Sequence, residues 1–296
     1  MIDEAMVTQV RRFNRAVTQR VGALNDRYLA RDRPLGEARV LWEIGAGDDG
    51  CDVRQLRSRL DLDSGYLSRL LRALEAADLV AVDRSADDKR VRTARLTEDG
   101  TKEREVLDQG SDQLARELLE PLNTRQRQRL VDAMGEVERL LTAALVEVEA
   151  VDPAHRHARH CLAAYYNELD QSFDSGFDVA ASAAVDLDEM RPPDGVFLLA
   201  TLRGEPVGCG ALRTPRPDVG EIKRMWVDSA ARGLGVGRRL LTALEAEARA
   251  ANRRTVRLDT NPALTEAITM YRSAGYHEVD PFNDDPYAQL YFEKQL

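Results

Sequence analysis

Three glycines fall within six residues, Arg232-Gly233-Leu234-Gly235-Val236-Gly237, between a strand-like run (Glu221 to Val227) and a helical run (Leu240 to Ala250). Glycine lets a main chain approach an anion closely, and the start of a helix offers unpaired N–H groups at the positive end of its dipole. Arg232 adds charge, so this stretch is suited to holding a pyrophosphate. The order Arg-x-x-Gly-x-Gly lacks the Gly-Lys-Ser/Thr of a nucleotide P-loop and the third glycine of a dinucleotide fingerprint. A glycine-rich turn with no ligand fits the same six residues, so the surrounding elements must decide.

Beyond Pro153 those elements alternate: a helix (His155 to Leu169), strands at Gly195 to Leu202, Val207 to Arg213 and Glu221 to Val227, a helix (Gly237 to Ala250), a strand (Thr255 to Asp259), a helix (Leu264 to Ala274) and two terminal strands. Gly204-Glu205-Pro206 reads as the hairpin turn between the first two strands. Three pieces stand in order along this mixed α/β layer: Glu221 to Val227 leading into Arg232 to Gly237, then Leu258-Asp259-Thr260-Asn261, then Ala267 to Tyr276. The first and third resemble motifs A and B of the GNAT superfamily of N-acetyltransferases, and the element order resembles that family over nearly the whole second half.

The resemblance implies an α/β (α+β) domain with a mixed, mostly antiparallel splayed sheet, acetyl-CoA as cosubstrate, no metal, and transfer to a primary amine of a small molecule, amino acid or peptide. It places Tyr271 as donor to the coenzyme's sulfur and Glu221, at the start of its strand, as general base. An ion pair with Lys223, on the same strand face, is an equal reading of Glu221. The main chain around Met225 and Val227 is expected to pair with the pantetheine arm. Arg232, Gly233, Gly235, Val236 and Gly237 are expected to hold the pyrophosphate, with Arg238 assisting. Asn261 is assigned to the coenzyme or, alternatively, to capping the helix; many relatives carry asparagine seven residues before the tyrosine, where this chain has Leu264. Asp284 and Asp285, in the loop Pro281 to Tyr287, attract a cationic amine or simply close a solvated turn.

The first half reads differently. Leu35 to Ala46, Val53 to Leu60 and Asp63 to Ala77 have helical apolar spacing; Asp63 is a good N-cap, and Leu67, Leu70, Leu71 and Leu74 form one buried face. Ser64, Tyr66, Ser68, Arg69 and Arg72 are left on or beside the outer face, as a helix entering a major groove requires. Leu79 to Val82, a polar tip from Asp83 to Lys89, and Val91 to Leu96 read as a β-hairpin wing, whose Arg84, Lys89, Arg90, Arg92 and Arg95 can reach phosphates or a minor groove. Ser68-Arg69-Leu70 with Leu74-Glu75 and Leu79-Val80, then Asp88-Lys89-Arg90 with Leu96-Thr97 and Gly100, resemble the recognition helix and wing of the MarR family of winged helix-turn-helix regulators. Arg90 is then the wing's DNA-contacting arginine and Asp88 its orienting partner. Asp78 departs from that pattern, where the family often has glycine. Apolar stripes on three long helices, including Val7, Val10 and Val17 and then Met134, Leu141 and Leu145, exceed what so small a body can bury. A homodimer and a pseudo-palindromic site on double-stranded DNA follow.

Composition agrees with a two-domain chain, 1–150 and 151–296, divided near Val151-Asp152-Pro153. The net charge of −9 is spread along its length: up to Glu149 there are 25 Lys+Arg against 29 Asp+Glu, so any DNA contact must come from a local basic stripe. Cys51, Cys161 and Cys209 are too few and too far apart for a disulfide framework, and His155, His157 and His160 with Cys161 lack a second ligand pair for a metal. No apolar run spans a membrane and the acidic N-terminus does not read as a signal peptide, so the expected location is cytoplasmic. The expected function is a bifunctional regulator and N-acetyltransferase. The alternatives are an acetyl-CoA sensor without turnover and an enzyme whose winged helices only dimerise.

Overall fold

The structure, a computed structural model, describes residues 2–23, 28–30, 32–47, 50–84, 92–173, 176–178 and 187–296. Its backbone divides into two compact units, Met1–Asp132 and Ala133–Leu296.

The first unit contains α1 (Glu4–Arg20), α2 (Leu35–Ile44), β1 (Cys51–Asp52), α3 (Val53–Leu60), α4 (Ser64–Ala76), β2 (Val80–Arg84), β3 (Arg92–Leu96) and α5 (Glu98–Leu119); the division falls inside α6 (Thr124–Ala144). The three short strands form one antiparallel sheet in the order β1-β3-β2. Aspartates start the two central helices: Asp52 accepts from the amides of Arg54 and Gln55, and Asp63 from that of Tyr66. Each such cap stabilises its helix by about 1 kcal/mol. The apolar face of α4, Leu67, Leu70, Leu71 and Leu74, is buried against Val40, Leu41, Ile44 and Leu56. Asp78 takes the left-handed conformation (φ +56°) after α4, so the turn that favours glycine is present with an aspartate in it. Thr97 ties the hairpin to α5, donating to the Asp78 carbonyl (2.6 Å) and accepting from the Gly100 amide (2.9 Å). A Cβ on Gly100 would lie 1.9 Å from the Leu79 carbonyl oxygen, so only glycine permits that approach.

The second unit contains β4 (Val146–Val151), α7 (Arg156–Ser172), β5 (Gly195–Leu202), β6 (Glu205–Arg216), β7 (Val219–Val227), α8 (Val236–Ala250), β8 (Thr255–Thr260), α9 (Thr265–Ser273), β9 (His277–Glu278) and β10 (Leu290–Gln295). The sheet order is β4-β5-β6-β7-β8-β10-β9, and among the described residues only the β7–β8 pair is parallel. One core joins the sheet to α8 through Leu240, Leu241, Leu244 and Ala248. A second joins it to α7 through Ala158, Cys161 and Leu162 with Phe197, Leu199 and Trp226.

Two expectations from sequence differ from this structure. The long helix whose apolar stripe is read through Leu145 ends at Ala144, and Val146–Val151 is a strand paired with β5. Its Val-Glu-Val-Glu-Ala-Val alternation is a period of two that was absorbed into the preceding helical stripe, so the sheet begins ahead of the 150/151 division. The hairpin between β5 and β6 turns on Arg203 and Gly204 (φ +54° and +82°), one residue earlier than Gly204-Glu205-Pro206, because a two-residue turn needs both central residues left-handed.

Two irregularities in β7 position the site. Its parallel pairing with β8 covers only Val219–Ile222 against Thr255–Leu258, and no further pairs follow. Against β6, the register runs Cys209↔Trp226 and then Ala211↔Lys223, leaving Arg224 and Met225 opposite Gly210 as a bulge, with Arg224 at φ +57°. A bulge re-aims side chains that strict alternation would send to opposite faces. Here Lys223 and Arg224, adjacent in sequence, both line one cavity.

Candidate active site

Beyond the last β7–β8 pair lies a cavity of about 610 Å³, lined by Met225 and Val227 of β7, the 231–238 turn, and Ala267, Met270 and Tyr271 of α9. The turn is an anion cradle built from main chain. Gly233 and Gly235 have φ of +78° and +75°, and a Cβ on either would meet nothing within 4 Å. They are therefore glycine for backbone freedom and open approach, not for packing. Gly237 instead packs on Met270, whose sulfur lies 3.1 Å from the Cβ position. The amides of Gly233, Gly235, Val236, Gly237 and Arg238 have no acceptor among the described residues, whereas Arg239 already bonds back to the Gly235 carbonyl. Five free N–H groups at a helix start match an anion without help from side chains.

The arginines of this turn do less than the sequence suggested. Arg232 is ion-paired with Glu168 of α7 and donates to the Val227 carbonyl, while Glu168 also accepts from the Trp226 indole at 2.9 Å. Its charge is thus partly neutralised, and the amides carry the cradle. Arg238 donates to the Ser273 hydroxyl. Both still border the cavity.

A narrower cavity of about 80 Å³ lies alongside, lined by Lys223, Arg224, Asp259, Asn261, Asp285, Tyr287 and the aromatic rings of Phe173 and Phe177. Tyr165, Leu169, Met225, Leu264, Ala267 and Tyr271 border both spaces, so Tyr271 stands where they meet. Its ring is buried beside Tyr276 and Phe292, with centroids 6.1 and 6.2 Å away, and its hydroxyl has no hydrogen-bond partner among the described residues. Burial pushes the Tyr271 phenol well above its ordinary value, with Tyr165 and Asp259 adding to the shift. Burial likewise pushes Tyr165 up to about 12, against the opposing pull of Arg224. Both phenols are protonated at neutral pH.

Two sequence assignments do not join this centre. Glu221 is buried and bound on both sides, to Lys223 Nζ and Arg213 Nη2, each at 3.0 Å, and it borders neither cavity. The ion pair that was an equal reading of Glu221 is the one present. Asn261 lines the narrow cavity rather than the wide one; its amide donates to the Tyr287 carbonyl (2.9 Å) and its oxygen accepts from the Ala263 amide (3.0 Å). It staples two loops and caps the approach to α9. Asp285 borders the narrow cavity, and Asp284 is exposed. Sequence reasoning missed Tyr165, Glu168, Arg224 and the placement of Asp259. For Arg224 the signal was present: two adjacent cations in the otherwise apolar run Ile222 to Val227 of a buried strand.

In the first unit, Ser64, Tyr66, Arg69 and Arg72 are exposed on α4 and Ser68 is half-buried. The Arg69 guanidinium sits over the Tyr66 ring at 5.6 Å, and Arg72 donates to the Ser68 carbonyl. The side chain of Arg84 and residues 85–91, including Asp88, Lys89 and Arg90, lie outside the described residues. Arg95 is paired with Asp83 across the hairpin. The apolar positions of the long helices are open: Val10, Phe13, Met134, Leu140 and Leu141 are all exposed, and no residue of α1 or α6 is buried. The three cysteines are buried free thiols, and His155 caps α7 through its Nδ1.

A sheet split beside an amide-lined helix start, with a tyrosine at the junction of two cavities, is an arrangement suited to a coenzyme-dependent acyltransferase. The profile of the acetyltransferase (GNAT) family matches residues 162–276, and that of the MarR family matches residues 32–91. The chain is 38% identical over 133 residues to an IAA acetyltransferase of Azospirillum brasilense, covering 44% of this chain and 86% of the relative. It is 31% identical over 103 residues to the uncharacterized N-acetyltransferase YsnE of Bacillus subtilis, covering 34% and 68% respectively. A crystal structure of a GNAT-family acetyltransferase from Staphylococcus aureus is 18% identical, with 51% of this chain and 98% of that chain covered and a TM-score of 0.44. The chain belongs to the GNAT acetyltransferase family, whose enzymes use acetyl-CoA, and it carries a MarR-family region ahead of the acetyltransferase domain. The free amides and the wide cavity fit that cosubstrate. No described helix is long and apolar enough to cross a membrane.

Proposed function

We propose that this chain is a dimeric DNA-binding regulator whose C-terminal unit transfers the acetyl group of acetyl-CoA to a primary amine. The observation that carries the enzymatic half is Tyr271: a protonated hydroxyl with no protein partner among the described residues, at the junction of a coenzyme-sized cavity and a smaller one. Acetyl-CoA supplies the activated acetyl thioester. The amides of 233 and 235–238 hold its pyrophosphate, the unpaired edge of β7 at Met225 and Val227 takes the pantetheine arm, and Tyr271 holds a proton for the sulfur. The amine must lose a proton before it attacks. Glu221 is tied between two cations and borders neither cavity, so this role passes to water along the polar wall of Asp259 and Asp285.

For the regulatory half, the support is the MarR-family match together with an α4 whose outer face presents Tyr66, Arg69 and Arg72. The open apolar faces of α1 and α6 suit a two-fold helical dimer, which in turn predicts two half-sites on DNA. DNA as the target puts the chain in the cytoplasm. The test is thiol release over a panel of amines with the full chain. Turnover with at least one amine is expected, and micromolar coenzyme binding without turnover on any amine leaves a sensor in place of an enzyme.

A further inference from the structure

Resting on the acetyl-transfer reading, the geometry points to the class of acceptor: we infer that it is an amine that also carries a carboxylate, held by Arg224. Arg224 is only 5% exposed and borders the narrow cavity. The cations beside it are matched. Lys223 is paired with Glu221 and Asp259, and Arg213 with Glu189 and Glu221. Arg224 has no carboxylate partner among the described residues, and its Nε is buried without an acceptor. What it does have is neutral: the guanidinium lies 5.2 Å from the Tyr166 ring centroid and 5.9 Å from that of Tyr165, and it donates a hydrogen bond to the Tyr165 hydroxyl. Ring faces and one neutral hydroxyl orient and partly compensate a guanidinium, but they leave Nε without an acceptor and the charge without a counter-ion. A buried unpaired charge is strongly unfavourable, and a planar fork is the geometry that takes a carboxylate through two parallel hydrogen bonds.

Position supports the same occupant. Arg224 is delivered into the cavity by the β7 bulge, immediately before Met225, which borders both cavities. A small acceptor anchored there by its carboxylate extends its amine toward the Tyr271 junction, where the acetyl group is to be passed. Asp259 and Asp285 border the same space and suit an ammonium group before it loses its proton. Phe173, Phe177 and Tyr287, whose rings pack together with centroids 4.7 to 6.0 Å apart, give the cavity an apolar wall. The chemistry is that of an amino acid.

The experiment compares amino acids with the matching amino-acid amides and the matching amines lacking the carboxyl group, in full chain, by kcat and KM from thiol release. A site built around a charged partner rejects the analogue lacking it, so the acid is expected to be favoured by at least about tenfold in kcat/KM, mostly through KM. In Arg224→Gln that ratio falls to near one, and in Arg224→Lys part of it is kept. Acetyl-CoA affinity within about threefold of wild type shows that each variant is folded. Amides or plain amines used as well as the acids by wild type overturn the inference, as does a preference that survives Arg224→Gln. If no amine is turned over, the enzymatic reading fails by itself. Calorimetry of amino acids against the coenzyme A-saturated chain then decides the site: binding in wild type that Arg224→Gln loses keeps it, and no binding to wild type removes it.

Discussion

Replacing Tyr271 with Phe separates catalysis from packing, because the hydroxyl has no partner among the described residues to orphan. The ring's contacts with Tyr276 and Phe292 survive the change, and no described donor or acceptor is left unpaired. Folding stability is therefore expected to change by less than about 1 kcal/mol, the net worth of one ordinary hydrogen bond. A positioned proton donor contributes roughly 10²- to 10⁴-fold, so kcat should fall by at least about 100-fold, a barrier increase of about 2.7 kcal/mol. Acetyl-CoA affinity should stay within about threefold, since the pyrophosphate is held some distance away by main-chain amides. The sign of the pH effect is also set: burial raises the Tyr271 pKa, so the donor stays protonated up to and beyond about pH 10, where an ordinary tyrosine ionises. The wild-type kcat profile should show no descending limb from about pH 7 to pH 10. Steady-state thiol release and a thermal melt on the same preparations measure both quantities. A Phe variant that retains kcat within about threefold, or that loses activity only in step with its melting temperature, refutes the role.

Gly235→Ala should raise the acetyl-CoA Kd by about tenfold and destabilise by about 1–2 kcal/mol, because its φ of +75° disfavours a Cβ that would otherwise meet no atom; calorimetry and melting check this, and an unchanged Kd contradicts the cradle. Glu221→Gln breaks a buried double ion pair and should lower stability by about 3 kcal/mol, while folded protein keeps most of its kcat and the same pH profile; a loss of about 1,000-fold without destabilisation would restore Glu221 as the base. Arg69→Ala should weaken binding to the protein's own upstream DNA by about 1–3 kcal/mol in a gel shift, and no loss removes α4 as the reading helix.

Sequence patterns located most elements because their signals are local. Asp63 three residues before the amide it caps, a leucine face at helical spacing, and glycines whose φ must be positive are all read within one turn of chain. Tyr271 was singled out by its place in the motif-B resemblance, and the structure puts it on α9 where the two cavities meet. What escaped depends on register. The bulge at Arg224 and Met225 breaks strand alternation and re-aims Lys223 and Arg224, which period-two reasoning sends to opposite faces. Glu221 illustrates the converse: its same-face partner Lys223 was visible, but Arg213, directly opposite on β6, enters only once strand pairing is known. Arg232 was read as free charge because its partner, Glu168, lies 64 residues away on α7. The strand at Val146–Val151 was hidden by a helical stripe leading into it, so its alternation showed only through its pairing with β5.

Everything assigned to the second unit depends on five main-chain amides, at residues 233 and 235–238, converging on a diphosphate. Isothermal titration of acetyl-CoA into the intact chain measures this directly. One coenzyme per chain with a Kd in the micromolar range is the predicted result. No detectable heat at millimolar ligand would contradict the transferase and coenzyme-sensor readings alike.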